Sequence, residues 1–170
     1  MKPTRSRLLG RSVLTRGLAA VVALTLLAVV IVSSLQLRSS ASEEAERDAV
    51  LSAARRAAVT FATYDHASLD ASFNRLKSLG TEDFQRQFDT ASKRLKPLIL
   101  KMKASARGEA LAAALVESTD DEDTRSVLVA VDATITNRDL PKGKVQRFRL
   151  KVTLQRVGEK WLLDKITTVV

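Results

Sequence analysis

The 170-residue chain has no cysteine and a single histidine, and these absences exclude several kinds of site. Without cysteine there is no structural disulfide, no cysteine-ligated zinc and no cysteine nucleophile. With His66 as the one histidine, histidine-rich metal sites and most histidine-based catalysis are disfavoured. Aromatic residues make up 4% of the chain, which is low for a protein that stacks nucleic-acid bases. We therefore expect no metal, no other cofactor and no nucleic-acid partner.

The net charge of +9 is concentrated at the N-terminus. Of the 28 Lys+Arg residues, five lie in the first 17 positions, where there is no acidic residue. These five are Lys2, Arg5, Arg7, Arg11 and Arg16. Subtracting five from 28 leaves 23 basic residues against 19 acidic ones in the rest of the chain, a surplus of four. The high charge is thus mainly a property of a short basic tip.

Residues 18–37 contain no charged side chain. As a helix, this run would be about 30 Å long, which matches the hydrocarbon core of a bilayer. The alternative is a cleaved signal peptide, because Ser39 and Ala41 resemble a small-residue cleavage site. We favour an uncleaved anchor, since the apolar part of a signal peptide is usually about 7–15 residues long.

The charges on either side of the apolar run predict its orientation. Basic residues precede it, whereas Glu43, Glu44 and Glu46 follow soon after it. Positively charged flanks stay in the cytoplasm. The chain is therefore predicted to be a single-pass protein of the cell (inner) membrane. Its predicted parts are a cytoplasmic tip (1–17), a transmembrane helix (18–37), a linker (38–42) and an extracytoplasmic domain (43–170).

The first half of this domain shows helical periodicity. Ala49, Ala53, Ala57 and Phe61 recur every fourth residue in a stretch without Gly or Pro. A second, short helix is predicted between Ser68 and Gly80, and Thr81 is a favourable N-cap for a third. The apolar series of the third helix is Phe84, Phe88, Ala91, Leu95, Leu98 and Met102. We expect this series to be buried and Pro97 to kink or split the helix.

The second half alternates with period two, as half-exposed strands do. Residues 127–136 and 147–155 show the alternation, and Gly158-Glu159 predicts a hairpin leading to a last strand at 160–169. The alanine-rich segment 109–118 is ambiguous and is interpreted as the first strand. Helices followed by strands indicate an α+β domain, with three helices packed on a curved antiparallel sheet of about four strands.

Several short sequence motifs occur in an order that resembles that of a known family. They are Thr63-Tyr64-Asp65 with Leu69-Asp70, Thr81-x-x-Phe84-x-x-x-Phe88, Val127–Asp132, Arg147-x-Arg149-x-x-Val152-Thr153-Leu154 and Gly158-x-x-Trp161-Leu162. Together with the basic tip and single anchor, this order resembles the Mce-associated membrane proteins of actinobacteria. The resemblance implies a cone-like fold similar to nuclear transport factor 2, shared with the periplasmic domain of the type IV secretion bridging subunit. It also implies an accessory role in Mce complexes, which import lipids or sterols.

Two basic rows are candidate contacts with a protein partner or with lipid headgroups. The first is Lys93, Arg94, Lys96, Lys101, Lys103 and Arg107, and the second is Arg147, Arg149 and Lys151. For the first row the alternative is a solvated helix face whose side-chain stems cover apolar surface. For the second it is an outward strand face that limits non-specific association.

The residues predicted to form a candidate cavity are Tyr64, Phe84, Phe88, Asp132, Phe148 and Trp161. The simpler interpretation places the aromatic residues in the core. Asp132 would be the base if the domain were an isomerase-like enzyme, although a hydrogen-bonded strand residue is the more ordinary interpretation. His66 with Asp65 and Asp70 could supply metal ligands, but a solvent-facing turn is favoured. Residues 120–123 lack the spacing of a calcium loop.

The sequence therefore predicts a non-enzymatic, membrane-anchored accessory subunit of an Mce-type lipid or sterol import complex. Its extracytoplasmic domain would stabilise or position Mce proteins. Two alternatives remain at this point: a lipid-binding carrier domain that uses the cavity of the cone, and a small isomerase-like enzyme.

Overall fold

The computed structural model describes residues 42–116 and 121–169 of the chain. The predicted basic tip, the transmembrane helix and nearly all of the linker lie outside these residues. Within the described residues, no helix is both long enough and apolar enough to cross a membrane. Glu46–Val170 forms one compact unit, and it contains every residue of the hydrophobic core cluster.

The three predicted helices are present. Helix α1 covers 42–61 within the described residues, α2 covers Leu69–Lys77 and α3 covers Glu82–Met102. A 3-10 turn at His66–Ser68 precedes α2. The predicted N-cap of α3 is confirmed, because the Thr81 hydroxyl accepts a hydrogen bond from the Phe84 amide at 3.1 Å.

Helix α1 buries a stripe of small side chains. Val50, Ala54, Ala57 and Ala58 are almost completely inaccessible to solvent. Small side chains allow the helix backbone to lie close to the sheet, so burial is achieved with little side-chain volume. Phe61, predicted on the same stripe, is 40% exposed because it lies at the end of the helix beside a cavity described below.

Helix α3 is less buried than its apolar series predicts. Phe84 is its one buried residue, whereas Leu95 is 47% exposed and Leu98 is 61% exposed. The second half of the helix runs past open space, so these side chains have no packed layer beneath them. Pro97 does not interrupt the helix. Because proline has no N–H, the carbonyl of Lys93 loses its helical partner there.

Four strands form one antiparallel sheet in the order β1-β2-β3-β4. Their bounds are Ser105–Val116, Thr124–Thr136, Lys144–Val157 and Lys160–Thr168. The predicted tight hairpin joins β3 to β4, where Val157 pairs with Lys160. Gly158 has φ of 62° in this turn, a conformation that suits glycine.

A bulge in β1 explains why its sequence pattern is ambiguous. Ala110 pairs with Val131 and Ala112 pairs with Ala130, so Leu111 is an extra residue in the strand. Before the bulge Ala110 packs against the core, and after it Ala113 and Leu115 do so. The inward-facing positions therefore change from even to odd numbers within one strand, which hides the period of two.

The core lies between α1, α2 and one face of the sheet. Alternate residues along part of β2 and part of β3 are almost completely buried there. These residues are Val127, Val129, Val131, Leu150, Val152 and Leu154. Leu163 completes the layer on β4 and is 1% exposed. The predicted α+β architecture, with three helices on a four-stranded antiparallel sheet, is confirmed.

Candidate functional site

A cavity of about 330 Å³ lies between the helices and the sheet. Its walls are the end of α1, the facing sides of α2 and α3, and inward positions of the sheet. Of the six predicted cavity residues, Tyr64, Phe88 and Phe148 line it. No charged side chain is among its lining residues, and its polar groups come from Ser, Thr and Tyr. We call this space the apolar cavity.

The structure corrects the prediction for the other three residues. Phe84 is buried in the core and stacks on Phe88, with ring centroids 5.8 Å apart, so it supports the cavity wall from behind. Asp132 lies on the opposite face of the sheet, because its neighbours Val131 and Ala133 are the inward-facing residues of β2. An isomerase-like base at Asp132 facing the cavity is therefore excluded.

Trp161, the third residue, lies at the far end of the sheet, away from the cavity lining. The guanidinium groups of Arg125 and Arg156 lie 5.7 Å and 4.7 Å from its ring centroid. Glu46 of α1 accepts from Arg156 at 2.5 Å and also contacts Arg125 at 3.5 Å. This cluster ties α1 to the sheet and gives Trp161 a structural role.

A second, polar space of about 510 Å³ adjoins the apolar cavity. The two spaces share the lining residues Thr63, Tyr64, Ser72 and Ala106. The second space also has charged walls, formed by Asp65, Arg75 and Arg107. We call it the polar vestibule. Arg75 was not predicted as a site residue, because nothing in its local sequence distinguishes it from other exposed helix arginines.

Tyr64 is held where the two spaces meet. Its backbone forms an isolated bridge with β1, in which Tyr64 N donates to Ala106 O at 2.9 Å and Ala106 N donates to Tyr64 O at 2.8 Å. Burial raises the pKa of the Tyr64 hydroxyl, so the group stays protonated at neutral pH and can donate a hydrogen bond. Within residues 42–116 and 121–169, no side-chain hydrogen bond engages this hydroxyl.

Asp65, His66 and Ser105 form a cluster at the edge of the vestibule. The Ser105 hydroxyl donates to Asp65 Oδ1 at 2.9 Å and lies 2.9 Å from His66 Nδ1. Because the single hydroxyl proton points to Asp65, Nδ1 of His66 must be the donor to Ser105. A hydrolytic triad needs the serine and the carboxylate on different nitrogens of the histidine. Here both contact Nδ1, so the cluster caps the turn and does not activate a nucleophile.

The ionised form of Asp65 is stabilised by its donors. The backbone N–H of Ala67, the Ser105 hydroxyl and the neighbouring His66 hold the pKa of Asp65 below its ordinary value of 3.8. A carboxyl whose pKa is depressed on folding contributes stability above its unfolded pKa, and that stability is lost as the pH falls through the folded pKa. The Asp65 contribution is thus complete at neutral pH and disappears under acid conditions below about pH 4.

We therefore expect Asp65→Asn to lower the thermal unfolding midpoint at pH 7 and to have little effect near pH 2. Melting curves recorded from pH 2 to pH 7 for both proteins measure this convergence. Asp139→Asn is a suitable control, because Asp139 is exposed. A constant difference between wild type and Asp65→Asn at all pH values would contradict the assigned role of the carboxylate.

The first predicted basic row is divided between two elements. Lys96 pairs with Asp70 of α2 at 2.5 Å. Arg107 belongs to β1 and lines the polar vestibule. The other four residues are exposed on α3 or just after it; they are Lys93, Arg94, Lys101 and Lys103. Their role as contacts with a partner or with headgroups stays a prediction.

The second basic row lies on the face of the sheet that points away from the helices. Arg149 and Lys151 are opposite Ala130 and Leu128 of β2, and Arg147 is opposite Asp132. The Arg147 Nε lies 3.7 Å from Asp132 Oδ1, and the arginine side chain is 87% exposed. Ala112 and Ala114 of β1 continue the same face beyond β2. We call this surface the outer sheet face; it consists of residues 112, 114, 128, 130, 132, 147, 149 and 151.

Several solved structures that superpose on this chain are of secretion-system proteins. An IcmL-like type IV secretion system protein from Legionella pneumophila superposes with a TM-score of 0.61 at 11% identity, covering 72% of this chain and 91% of that chain. The periplasmic domain of DotI gives 0.59 at 16% identity, covering 72% and 94%. CagV, a VirB8 homolog of the type IV secretion system from Helicobacter pylori, gives 0.57 at 12% identity, covering 72% and 97%. At these identities the likeness defines the fold class and nothing more.

The chain belongs to the family described as "Uncharacterized protein Rv1363c/MT1408-like", which it matches over residues 11–170. It is also similar to the uncharacterized proteins Rv1362c and MT1407 from two strains of Mycobacterium tuberculosis. The identity to each is 27% over 121 residues, which is 71% of this chain and 54% of the relative. The chain thus spans about half the length of these relatives.

Proposed function

We propose that the chain is a non-enzymatic, membrane-anchored accessory subunit whose extracytoplasmic domain docks onto a protein partner. The partner implied by the sequence resemblance is an Mce protein of a lipid or sterol import complex. The observation that carries the proposal is the outer sheet face. In the described residues this face has apolar side chains open to solvent beside a row of basic ones.

The composition of the outer sheet face suits a protein interface. Leu128 is 42% exposed in the middle of the face. The short side chains of Ala112, Ala114 and Ala130 surround it and project little from the sheet. A partner's backbone can approach such a surface closely. Arginine is enriched in interfaces because it combines an apolar stem with several donors. Arg149 and Lys151 would thus select an acidic partner surface, and Leu128 would be the apolar contact at its centre.

The membrane-anchored, extracytoplasmic placement rests on two supports. The first is the uncharged run 18–37 with basic residues before it, which lies outside the described residues. The second is that proteins with the same fold include one named as the periplasmic domain of DotI and one named as a periplasmic fragment of TraM. An anchored domain of this kind is confined near the membrane, which favours binding to other membrane-bound subunits.

The absence of enzymatic activity is part of the proposal, and the site geometry supports it. Asp132 faces Arg147 on the outer sheet face, and the cluster of Asp65, His66 and Ser105 lacks the arrangement of a nucleophilic triad. Among the described residues, no group of three His, Asp or Glu side chains is placed to hold a metal ion. These arrangements favour binding over chemistry.

The docking proposal is tested by changing the outer sheet face in the full chain. We expect the double substitution Leu128→Glu, Arg149→Glu to reduce the partner recovered after gentle detergent extraction by more than tenfold. Loss of one central interface contact costs about 2 kcal/mol or more, and a charge of the wrong sign adds to that. Quantitative mass spectrometry of the co-purified proteins in the native bacterium measures the change.

The matched control is Leu98→Glu, Arg55→Glu, which alters an exposed leucine and an exposed arginine on the helices. This variant should retain the partner. The thermal unfolding of both variants is recorded to show that each is folded. Full recovery of the partner by a folded Leu128→Glu, Arg149→Glu variant would rule out docking by this face, and a partner other than an Mce protein would rule out the implied complex.

A further inference from the structure

The apolar cavity and the polar vestibule combine features that suit one amphipathic molecule. We infer that they bind a single-chain amphipath with an anionic head, with its hydrocarbon chain in the apolar cavity and its head in the polar vestibule beside Arg75. This inference goes beyond the proposed docking function and does not depend on it. It rests on the lining of the cavity, on its size and on the unpaired charges next to it.

The lining of the cavity favours a hydrocarbon over a peptide segment. Its walls include the rings of Phe73, Phe88 and Phe148 together with aliphatic side chains, and none of its lining residues is charged. A peptide inserted there would bring backbone N–H and C=O groups that need partners, and each one left unpaired costs free energy. A hydrocarbon chain has no such requirement.

The size of the cavity limits the occupant to one chain. Small-molecule sites are usually about 300–1,000 Å³, and this cavity lies at the lower end with about 330 Å³. A water-sized group occupies about 30 Å³, so the cavity holds roughly ten groups of that size. One chain of about ten carbons fills it, and there is no volume for a second chain.

The rim of the cavity is apolar on one side. Phe61 and Leu95 line the cavity and are 40% and 47% exposed. Large apolar side chains at an opening are unfavourable in water unless something covers them. A hydrocarbon chain entering between α1 and α3 would cover both side chains, which explains why the rim is not polar.

The charges of the vestibule suit an anionic head. Within the described residues, neither Arg75 nor Arg107 forms an ion pair with a carboxylate; Arg75 Nη2 donates a 3.4 Å hydrogen bond to Ser72 Oγ. Asp65 is the one acidic residue in the vestibule lining, and its Oδ1 already accepts hydrogen bonds from Ala67 N and from the Ser105 hydroxyl. The guanidinium of Arg75, which contacts Ser72 in the lining shared by both spaces, is therefore left to bind an anion.

Tyr64 provides a neutral donor between the chain and the head. Its backbone is fixed to β1, its side chain lines both spaces, and its hydroxyl has no partner in the described residues. A head oxygen at this position would accept a hydrogen bond from the hydroxyl while the charge of the head faces Arg75. Such a combination of apolar walls and a few convergent polar groups is typical of a small-molecule site.

The first experiment measures affinity against chain length. The protein is a fragment starting at residue 42, which contains the whole compact unit and its core; its cooperative thermal unfolding is verified first. Saturated fatty acids of 8, 10, 12, 14 and 16 carbons are titrated by calorimetry below their micelle concentrations. We expect the affinity to rise up to about fourfold per methylene until the cavity is full, at about ten to twelve carbons, and then to level off.

Two outcomes of the chain-length series would overturn the inference. The first is absence of binding at every length. The second is an affinity that keeps rising through sixteen carbons, because this would indicate adsorption on an open surface in place of an enclosed cavity.

The second experiment tests the head. Decanoate and lysophosphatidate are compared with methyl decanoate, and we expect each anion to bind at least tenfold more tightly than the ester. Decanoate bound more tightly assigns a carboxylate head, and lysophosphatidate bound more tightly assigns a phosphate head. Arg75→Ser should remove the preference for the anions, whereas Arg55→Ser, on exposed α1 surface, should preserve it. Equal binding of anions and ester by wild type would overturn the assigned role of Arg75.

The third experiment fills the cavity. Ile99 of α3 lines the cavity and Leu98 beside it is 61% exposed, so Ile99→Trp and Leu98→Trp are a matched pair. We expect Ile99→Trp to lower decanoate affinity more than tenfold and Leu98→Trp to leave it unchanged. If Ile99→Trp does not fold, Ile135→Phe on β2 fills the same space from the sheet. A folded filling variant with wild-type affinity would overturn the inference.

The docking variant Leu128→Glu, Arg149→Glu separates the two proposals. Both residues lie on the outer sheet face, on the side of the sheet opposite the cavity. This variant should bind decanoate as wild type does. Loss of partner recovery with normal decanoate binding agrees with both proposals. Retained partner recovery by this folded variant contradicts the docking proposal alone, and absence of decanoate binding by wild type contradicts the cavity proposal alone.

Discussion

Replacing Leu154 with alanine is expected to lower the free energy of unfolding by about 3–5 kcal/mol. Leu154 is 1% exposed and is the last fully buried residue on the core face of β3, where it pairs across to Leu163 of β4. The substitution removes three buried carbon atoms and leaves a void that the sheet closes only in part. Because Leu154 has no role in the apolar cavity, the effect is one of packing alone.

Chemical denaturation followed by circular dichroism measures this change, and Leu128→Ala is its matched control. Leu128 lies on the neighbouring strand but points to the outer sheet face, where it is 42% exposed. Its truncation should change the free energy of unfolding by less than about 1 kcal/mol. Similar losses for both variants would mean that the two faces of the sheet are not buried differently, contrary to the structure.

The contrast between Leu154 and Leu128 could be predicted from the sequence. Period-two alternation places inward-facing and outward-facing residues of β2 and β3 on opposite sides, and the structure follows it closely. The same alternation predicts that Asp132 faces outward, because Val131 and Ala133 on either side of it face inward. The prediction of Asp132 in the cavity is wrong because a carboxylate in an apolar stretch suggests a buried base, whereas the alternation along the strand determines which face it occupies.

The cavity itself could be predicted only in part. Tyr64, Phe88 and Phe148 line it, but the openness of the space depends on α3 extending past the sheet edge, which leaves Leu95 and Leu98 exposed. Helical periodicity shows that these leucines share a face with Phe84, yet it cannot show whether another element lies opposite them. Exposed and buried apolar positions look alike in a sequence.

Contacts between distant segments could not be predicted at all. The cluster of Glu46, Arg125 and Arg156 around Trp161 brings together the start of α1 and three strands; Glu46 and Arg125 are 79 residues apart. Each residue alone is an ordinary charged or aromatic position. Their meeting is set by the register of the sheet and by the angle at which α1 crosses it, and both are properties of the folded chain.

Replacing Gly108 with alanine is expected to lower the free energy of unfolding by about 2–3 kcal/mol. A Cβ atom at Gly108 would lie 2.6 Å from the Cβ of Ala62 and 3.3 Å from its carbonyl carbon and oxygen. These atoms belong to a short side chain and to the backbone, so no rotamer change relieves the overlap. The end of α1 would move away from β1, and the hydrogen bond from Gly108 N to Thr63 Oγ1, 3.0 Å long, would be strained.

A double-mutant cycle identifies this overlap as the cause. Ala62→Gly removes the closest atom, so Gly108→Ala should cost at least 1 kcal/mol less in the Ala62→Gly background than in wild type. Gly158→Asn is the control. Gly158 has φ of 62°, which asparagine tolerates, and no atom lies within 4 Å of an added Cβ. The free energy of unfolding should therefore change by less than about 1 kcal/mol. Strictly additive effects of Ala62→Gly and Gly108→Ala would contradict the close approach.

Because Ala62 also lines the apolar cavity, Gly108→Ala should weaken decanoate binding in the same series, and the double variant should recover part of that binding. Gly108 therefore connects the packing of α1 on β1 to the shape of the cavity.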